Sequence, residues 1–213
     1  IYKFQTSLIG KIQIKNILMA MIAATKSGLS FKKITNTINN LKPISGRLEQ
    51  IGIIKNNSKV ILDYAHTPDA LEASLKSLTE QFKNRRILIV FGCGGDRDKT
   101  KRPMMGKIAN KYCDRIYLTD DNPRYENPRT IRSSIRKNIN KSKIYEISNR
   151  ANAIKKAIFD LKTGDILIVA GKGHEKIQEY KKIKKLFSDQ QQILKNITIK
   201  NKTLSSNLKL NIL

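Results

Sequence analysis

Four short stretches hold most of the side chains able to do chemistry. The first, GCGGDRDKTKRP at Gly92–Pro103, places Gly92, Gly94 and Gly95 before Arg97, Lys99, Lys101 and Arg102. Backbone freed by glycine can turn its N–H groups toward an anion, and the following cations would attract one. Asp96 and Asp98 can orient those cations; a solvated run of charge is the alternative. Lys99–Thr100 imitates the end of a phosphate-binding loop, but G-x-x-x-x-G-K-[ST] needs glycine at positions 93 and 98, which are Cys93 and Asp98. A nucleotide-phosphate cradle is therefore not expected there.

The second stretch is TDDNPRYENPR, Thr119–Arg129. Asp121 and Asn122 can shape a turn and present acceptors and an amide. Pro123 stiffens that turn, and Arg124 then projects a planar fork suited to a carboxylate. In GKGHE, Gly171–Glu175, two glycines permit close backbone approach and Glu175 offers a carboxylate for an ammonium; His174 reads as structural rather than catalytic. In DYAHTP, Asp63 and His66 precede a helix start, where a phosphate is favoured. Two arginines and at least two acids brought to one place would recognise a small molecule carrying both charges. The chain holds no Ser-His-Asp set, no paired cysteine nucleophile and no H-E-x-x-H, and its two histidines do not suffice for a histidine-built metal site. No catalytic residue and no metal site are expected in it.

The intervening residues must bring these stretches together. Lys59–Asp63, Arg86–Phe91, Arg115–Leu118 and Asp165–Ala170 read as buried strands, with Ile144–Ile147 a weaker fifth. Thr67 with Pro68 opens a helix whose inner stripe is Leu71, Leu75, Leu78 and Phe82; Asn127 with Pro128 opens another, and Ala151–Leu161 forms a third. Strands alternating with helices imply a mostly parallel sheet covered on both faces, with its ligand beyond the carboxyl ends of the strands. Each of the four stretches follows a strand. This predicts an α/β domain over 46–195. Before it, Asn16–Ser27 and a second helix capped by Ser30, with Phe31, Ile34, Ile38 and Leu41 on one face up to Pro43, form a two-helix unit within 1–45 whose remainder is expected upstream. The basic tail, 196–213, has no clear period and is expected to fray.

The 42 Lys and Arg against 17 Asp and Glu give a formal charge of +25. That balance suits nucleic acid, yet lysine is scattered along the whole chain without a stacking platform or recognition motif, which fits a compositional drift toward Lys, Ile and Asn. No nucleic-acid partner is expected. The longest apolar run, Ile17–Ala24, is far short of the ~20 residues of a membrane span. Cys93 and Cys113 form no C-x-x-C, which suits a reducing, cytoplasmic setting.

SGRLEQI, VILDYAHTPDALEASL, VFGCGGDRDKTKRPMMGKIA, LTDDNPRYENPR and ILIVAGKGHE occur in this order, and together they resemble the C-terminal part of the diaminopimelate-adding branch of the Mur ligase family. The resemblance covers about residues 5–190. It implies a Rossmann-like C-terminal domain preceded by the last two helices of a central ATPase domain. It also implies an acid–amino-acid ligase that uses ATP and Mg2+ to join meso-diaminopimelate to UDP-N-acetylmuramoyl-L-alanyl-D-glutamate through an acyl phosphate. On this likeness Arg97, Asp121, Asn122, Pro123, Arg124, Gly171 and Glu175 match diaminopimelate contacts. Arg47, Asp63 and His66 match residues lent to the ATP site. The family's UDP-sugar domain and P-loop domain have no counterpart in these 213 residues. The chain alone is thus expected to be inactive as a ligase, either as part of a longer enzyme or as a split or decaying product. A ligand-binding module without catalysis is the alternative.

Overall fold

A computed structural model describes residues 6–210. The elements run α1 (Lys11–Lys26), α2 (Phe31–Ile38), β1 (Glu49–Ile53), β2 (Lys59–Asp63), α3 (Pro68–Gln81), β3 (Ile87–Phe91), α4 (Lys101–Tyr112) and β4 (Arg115–Leu118). They continue with α5 (Pro128–Arg136), β5 (Ile144–Glu146), α6 (Arg150–Phe159), β6 (Ile166–Ala170), β7 (Ile177–Tyr180), β8 (Ile183–Leu186) and α7 (Asp189–Leu210). Six strands form one sheet in the order β1-β2-β6-β3-β4-β5, all neighbours parallel except the antiparallel edge pair β1–β2.

The continuous apolar strands ILIVF and ILIVA follow from burial on both faces, because consecutive side chains point to opposite sides of the sheet. Ile89, Phe91, Ile168 and Ala170 meet Leu71, Leu75 and Leu78 of α3, Met105 of α4 and Ile135 of α5. Leu88, Val90, Leu167 and Val169 meet Ala153, Ala157 and Ile158 of α6 and Ile193 of α7. The expected doubly covered parallel sheet is the observed one. Its helices start where local chemistry places them: the Thr67 hydroxyl accepts from the Ala70 N–H ahead of α3, Asn127 from Arg129 ahead of α5, and Ser30 from Lys33 ahead of α2.

Several expectations are corrected. The tail is not frayed over its described part: α7 crosses the expected boundary at 195 and packs Ile193 and Ile197 on the sheet, with Leu204 beside them. Lys200 interrupts the apolar period but is itself buried, its Nζ donating to the carbonyls of Ile158 (2.8 Å) and Leu161 (2.7 Å) at the end of α6. Residues 211–213 of that tail, and 1–5 of the first unit, lie outside the described residues. α1 starts at Lys11 rather than near Asn16, and α2 stops at Ile38, before Asn39 and Asn40, rather than near Pro43. α4 begins at Lys101, so the first glycine-rich stretch is a loop only as far as Thr100. β1 and the β7–β8 hairpin were not anticipated; both are short and partly exposed, with no clean alternation. No helix among the described residues is long and apolar enough to cross a membrane.

Candidate functional site

The carboxyl ends of β2, β3, β4 and β6 open into a cleft of about 640 Å3. Its wall includes Arg97, Asp121, Asn122, Arg124, Gly171 and Glu175, together with His66. Seven of the expected site residues thus meet at one place.

The loops close on each other through glycine. A Cβ on Gly92 would stand 2.2 Å from the Thr119 carbonyl oxygen, and one on Gly95 only 1.9 Å from that of Pro123. The Gly95 N–H donates to the Asn122 carbonyl at 2.9 Å. Pro123, expected as a ligand contact, is buried behind the wall and serves this loop-to-loop seam. Glu126 locks the seam from outside. It accepts from Arg102 Nη1 (3.0 Å) and Nη2 (2.8 Å) and from the Asp96 N–H (2.7 Å). The Arg102 hydrogen bond is the main cause that holds its carboxyl well below the usual range, at about 2. Arg102 is therefore a buried structural cation and not part of the loop's exposed charge.

Asp121 is buried at the cleft wall, with no hydrogen bond to its carboxylate among the described residues. Burial raises its pKa, partly offset by Arg150 and Lys172, while Glu175 and Asp189 push it further up. Gly171 adopts φ 111°, and a Cβ there would lie 2.9 Å from Asp121 Oδ2, so only glycine leaves that oxygen open. Behind them Lys172 is fully buried, its Nζ donating to Asn122 Oδ1 and Glu175 Oε2, each at 2.9 Å. Asn122 Nδ2 also donates to Glu175 Oε2, at 3.1 Å. Lys172 fixes both groups, and no role for it follows from the sequence; a charge between two glycines just past an apolar strand is its one signal.

Arg124 sits at φ 51°. Its Nη1 donates to the Gly95 carbonyl at 2.8 Å, and its Nε lies 3.2 Å from Glu179 Oε2. The guanidinium is thereby held at the cleft wall. The cleft can accept a ligand carboxylate near Arg124 and Arg97 and an ammonium near Asp121 and Glu175. Cys93 also lines it, but burial pushes its thiol up to about 12, which removes it as a thiolate nucleophile.

Arg47 and Asp63 are not part of this cleft. They line a neighbouring cavity of about 250 Å3 with Gln13, Asn16 and Ile44. Asp63 is buried, its carboxylate accepting from the Leu48 N–H and the Ser74 hydroxyl, so it brackets the Arg47 segment to α3. Arg47 itself is exposed, 4.9 Å above the Tyr64 ring, and Tyr64 in turn contacts His66 with ring centroids 4.7 Å apart.

Residues 46–173 match the family described as Mur ligase, glutamate ligase domain. The chain is 44% identical over 200 residues to UDP-N-acetylmuramoyl-L-alanyl-D-glutamate–2,6-diaminopimelate ligase of Rickettsia felis, covering 93% of this chain and 37% of the relative. The ligase of that name in Rhizobium meliloti is 45% identical over 195 residues, 92% of this chain and 40% of its own length. A solved structure of a UDP-N-acetylmuramoyl-L-alanyl-D-glutamate–2,6-diaminopimelate ligase superposes with a TM-score of 0.72 at 35% identity, over 93% of this chain and 40% of that one. The chain spans about two fifths of the length of these relatives.

Proposed function

The chain belongs to the Mur ligase family, and from that premise we propose that it forms the amino-acid-binding domain of an ATP-dependent ligase. That ligase adds meso-diaminopimelate to UDP-N-acetylmuramoyl-L-alanyl-D-glutamate. The observation that carries the reading is that Arg97 and Arg124 line the same cleft as Asp121, Asn122 and Glu175, a set of charges matching one amino-acid end of the ligand. Held there, diaminopimelate keeps its other amine free to attack an acyl phosphate. A C–N bond forms, the C–O bond to phosphate breaks, phosphate departs and the amine gives up a proton to solvent.

ATP, with Mg2+, would phosphorylate the glutamate carboxylate of the UDP-linked dipeptide, giving that acyl phosphate and ADP. Arg47 and His66 fit a phosphate, being exposed and linked across Tyr64. Asp63 supports them indirectly, since its carboxylate is committed to Leu48 and Ser74. Among the described residues no group of three or more His, Cys, Asp or Glu side chains is placed to hold a metal.

Calorimetric titration of the chain with meso-diaminopimelate tests the proposal: saturable binding is expected, and its absence would remove the reading. The pH dependence adds a sharper expectation. Burial raises the Asp121 pKa above the ordinary aspartate range, and an ammonium is held only by the ionised form. Affinity is therefore expected to fall on acidification sooner than an ordinary aspartate would dictate. Because the folded pKa lies above the unfolded one, ionising Asp121 works against folding as pH rises through that window. Asp121→Asn is thus expected to stabilise the ligand-free fold at neutral pH while weakening binding. Urea titration beside calorimetry checks both signs.

A further inference from the structure

The β7–β8 hairpin adds no residue to the cleft wall, yet it holds the Asp120–Arg124 loop at many points. Gln178 Nε2 donates to the carbonyls of Asp120 (3.3 Å) and Asp121 (2.8 Å), and the Tyr180 hydroxyl donates to Asp120 Oδ2 at 3.0 Å. The Glu179 N–H donates to Asn122 Oδ1 at 3.0 Å. The Arg124 N–H donates to the Glu179 carbonyl (3.1 Å), and the Lys181 N–H to the Arg124 carbonyl (2.7 Å). The backbone of Arg124 is thus tied to the hairpin as a short parallel bridge with Tyr180.

The side chain is tied as well. An arginine side chain loses much rotamer freedom when it is fixed, and a fork gains its bidentate geometry cheaply only when it is set beforehand. Two contacts set it here: Gly95 O on Nη1 at 2.8 Å and Glu179 Oε2 by Nε at 3.2 Å. Arg124 lines the cleft and Glu179 does not, so the carboxylate grips the guanidinium from behind. We propose that Glu179 is a positioning residue that presents the Arg124 fork to an incoming carboxylate and so sets the preference for an amino acid carrying a second, distal carboxylate.

This inference rests on the amino-acid-binding reading above, and the test separates the two. The full 213-residue chain, as wild type, Glu179→Ala and Glu179→Gln, is titrated with meso-diaminopimelate and with lysine, which lacks the distal carboxylate. The Arg124 Nε–H resonance is followed by NMR in the absence of ligand. Glu179→Ala is expected to weaken diaminopimelate binding roughly fivefold while lysine changes by less than about twofold, a coupling of the size found between contacting groups. Its Nε–H should exchange faster with water. Glu179→Gln keeps an acceptor and should restore slow exchange and most of the affinity. Glu179→Thr, a good strand former, replaces the alanine variant if that does not fold. Unchanged or tighter diaminopimelate binding, equal losses for both amino acids, or an unaltered Nε–H would overturn the proposal. If the wild type binds neither amino acid, the amino-acid-binding reading fails, and the Nε–H signal still decides whether Glu179 positions Arg124.

Discussion

Replacing Arg150 by methionine is expected to cost about 3–5 kcal/mol of unfolding free energy, because it leaves a buried carboxylate without its cation. Arg150 opens α6 and Asp189 opens α7, and both side chains are fully inaccessible to solvent. Nε and Nη2 reach the two Asp189 oxygens at 2.8 and 2.7 Å, and Nη2 also donates to the Ala170 carbonyl at 2.9 Å. One group thus ties two helices to the last residue of β6, immediately before Gly171. Methionine replaces the apolar stem only as far as the position of Nε and supplies none of the three contacts. The double variant Arg150→Met/Asp189→Leu removes both charges and is expected to recover most of the loss, since well-packed apolar residues often replace a buried pair at little cost. Urea unfolding of the two variants reads this directly. A single variant within about 1 kcal/mol of wild type would mean that water reaches the pair and screens it.

That pair also marks where sequence reasoning ends. RILIVF and DILIVA announce themselves because a central parallel strand buries both faces. Thr67–Pro68 and Asn127–Pro128 do so because a cap is a local event. Arg150, Arg102 and Lys200 look like every other cation in a chain with 42 of them. Only the fold reveals that Arg150 faces Asp189, that Arg102 holds Glu126, and that Lys200 closes the end of α6. The hairpin escaped notice for a related reason. IQEY and IKKL carry little apolar content of their own; IQEY is held by polar contacts with a distant loop, and IKKL pairs with IQEY. In the site, residue types and spacing pointed to five side chains and Gly171 that line one cleft, whereas His66, expected with Arg47 and Asp63 at a phosphate, lines that cleft as well. They could not separate Asp63, whose acceptors face inward, from Asp121, whose acceptors are left open.

Arg124→Ala is expected to weaken meso-diaminopimelate binding on the order of 100-fold, about 2.7 kcal/mol, as the loss of one member of a charge-assisted pair does in a desolvated site. The main-chain bonds that carry the loop, to Glu179 and from Lys181, survive the substitution. Alanine inherits the same φ of 51° without new bulk. The fold should therefore persist, and the loss should fall on the ligand. Glu179, left without its cation, is partly exposed and can be solvated, so the variant does not bury an unpaired charge as Arg150→Met does. Arg124→Lys is expected to recover only part of the affinity, because an ammonium offers a point charge where a carboxylate needs two parallel donors. Lysine as ligand, lacking the carboxylate in question, should bind wild type and Arg124→Ala about equally, which separates loss of one contact from collapse of the cleft. Diaminopimelate bound by Arg124→Ala with wild-type affinity would move the carboxylate to Arg97, the other arginine of the cleft. It would leave Arg124 as a brace between the Gly92–Thr100 loop and the hairpin.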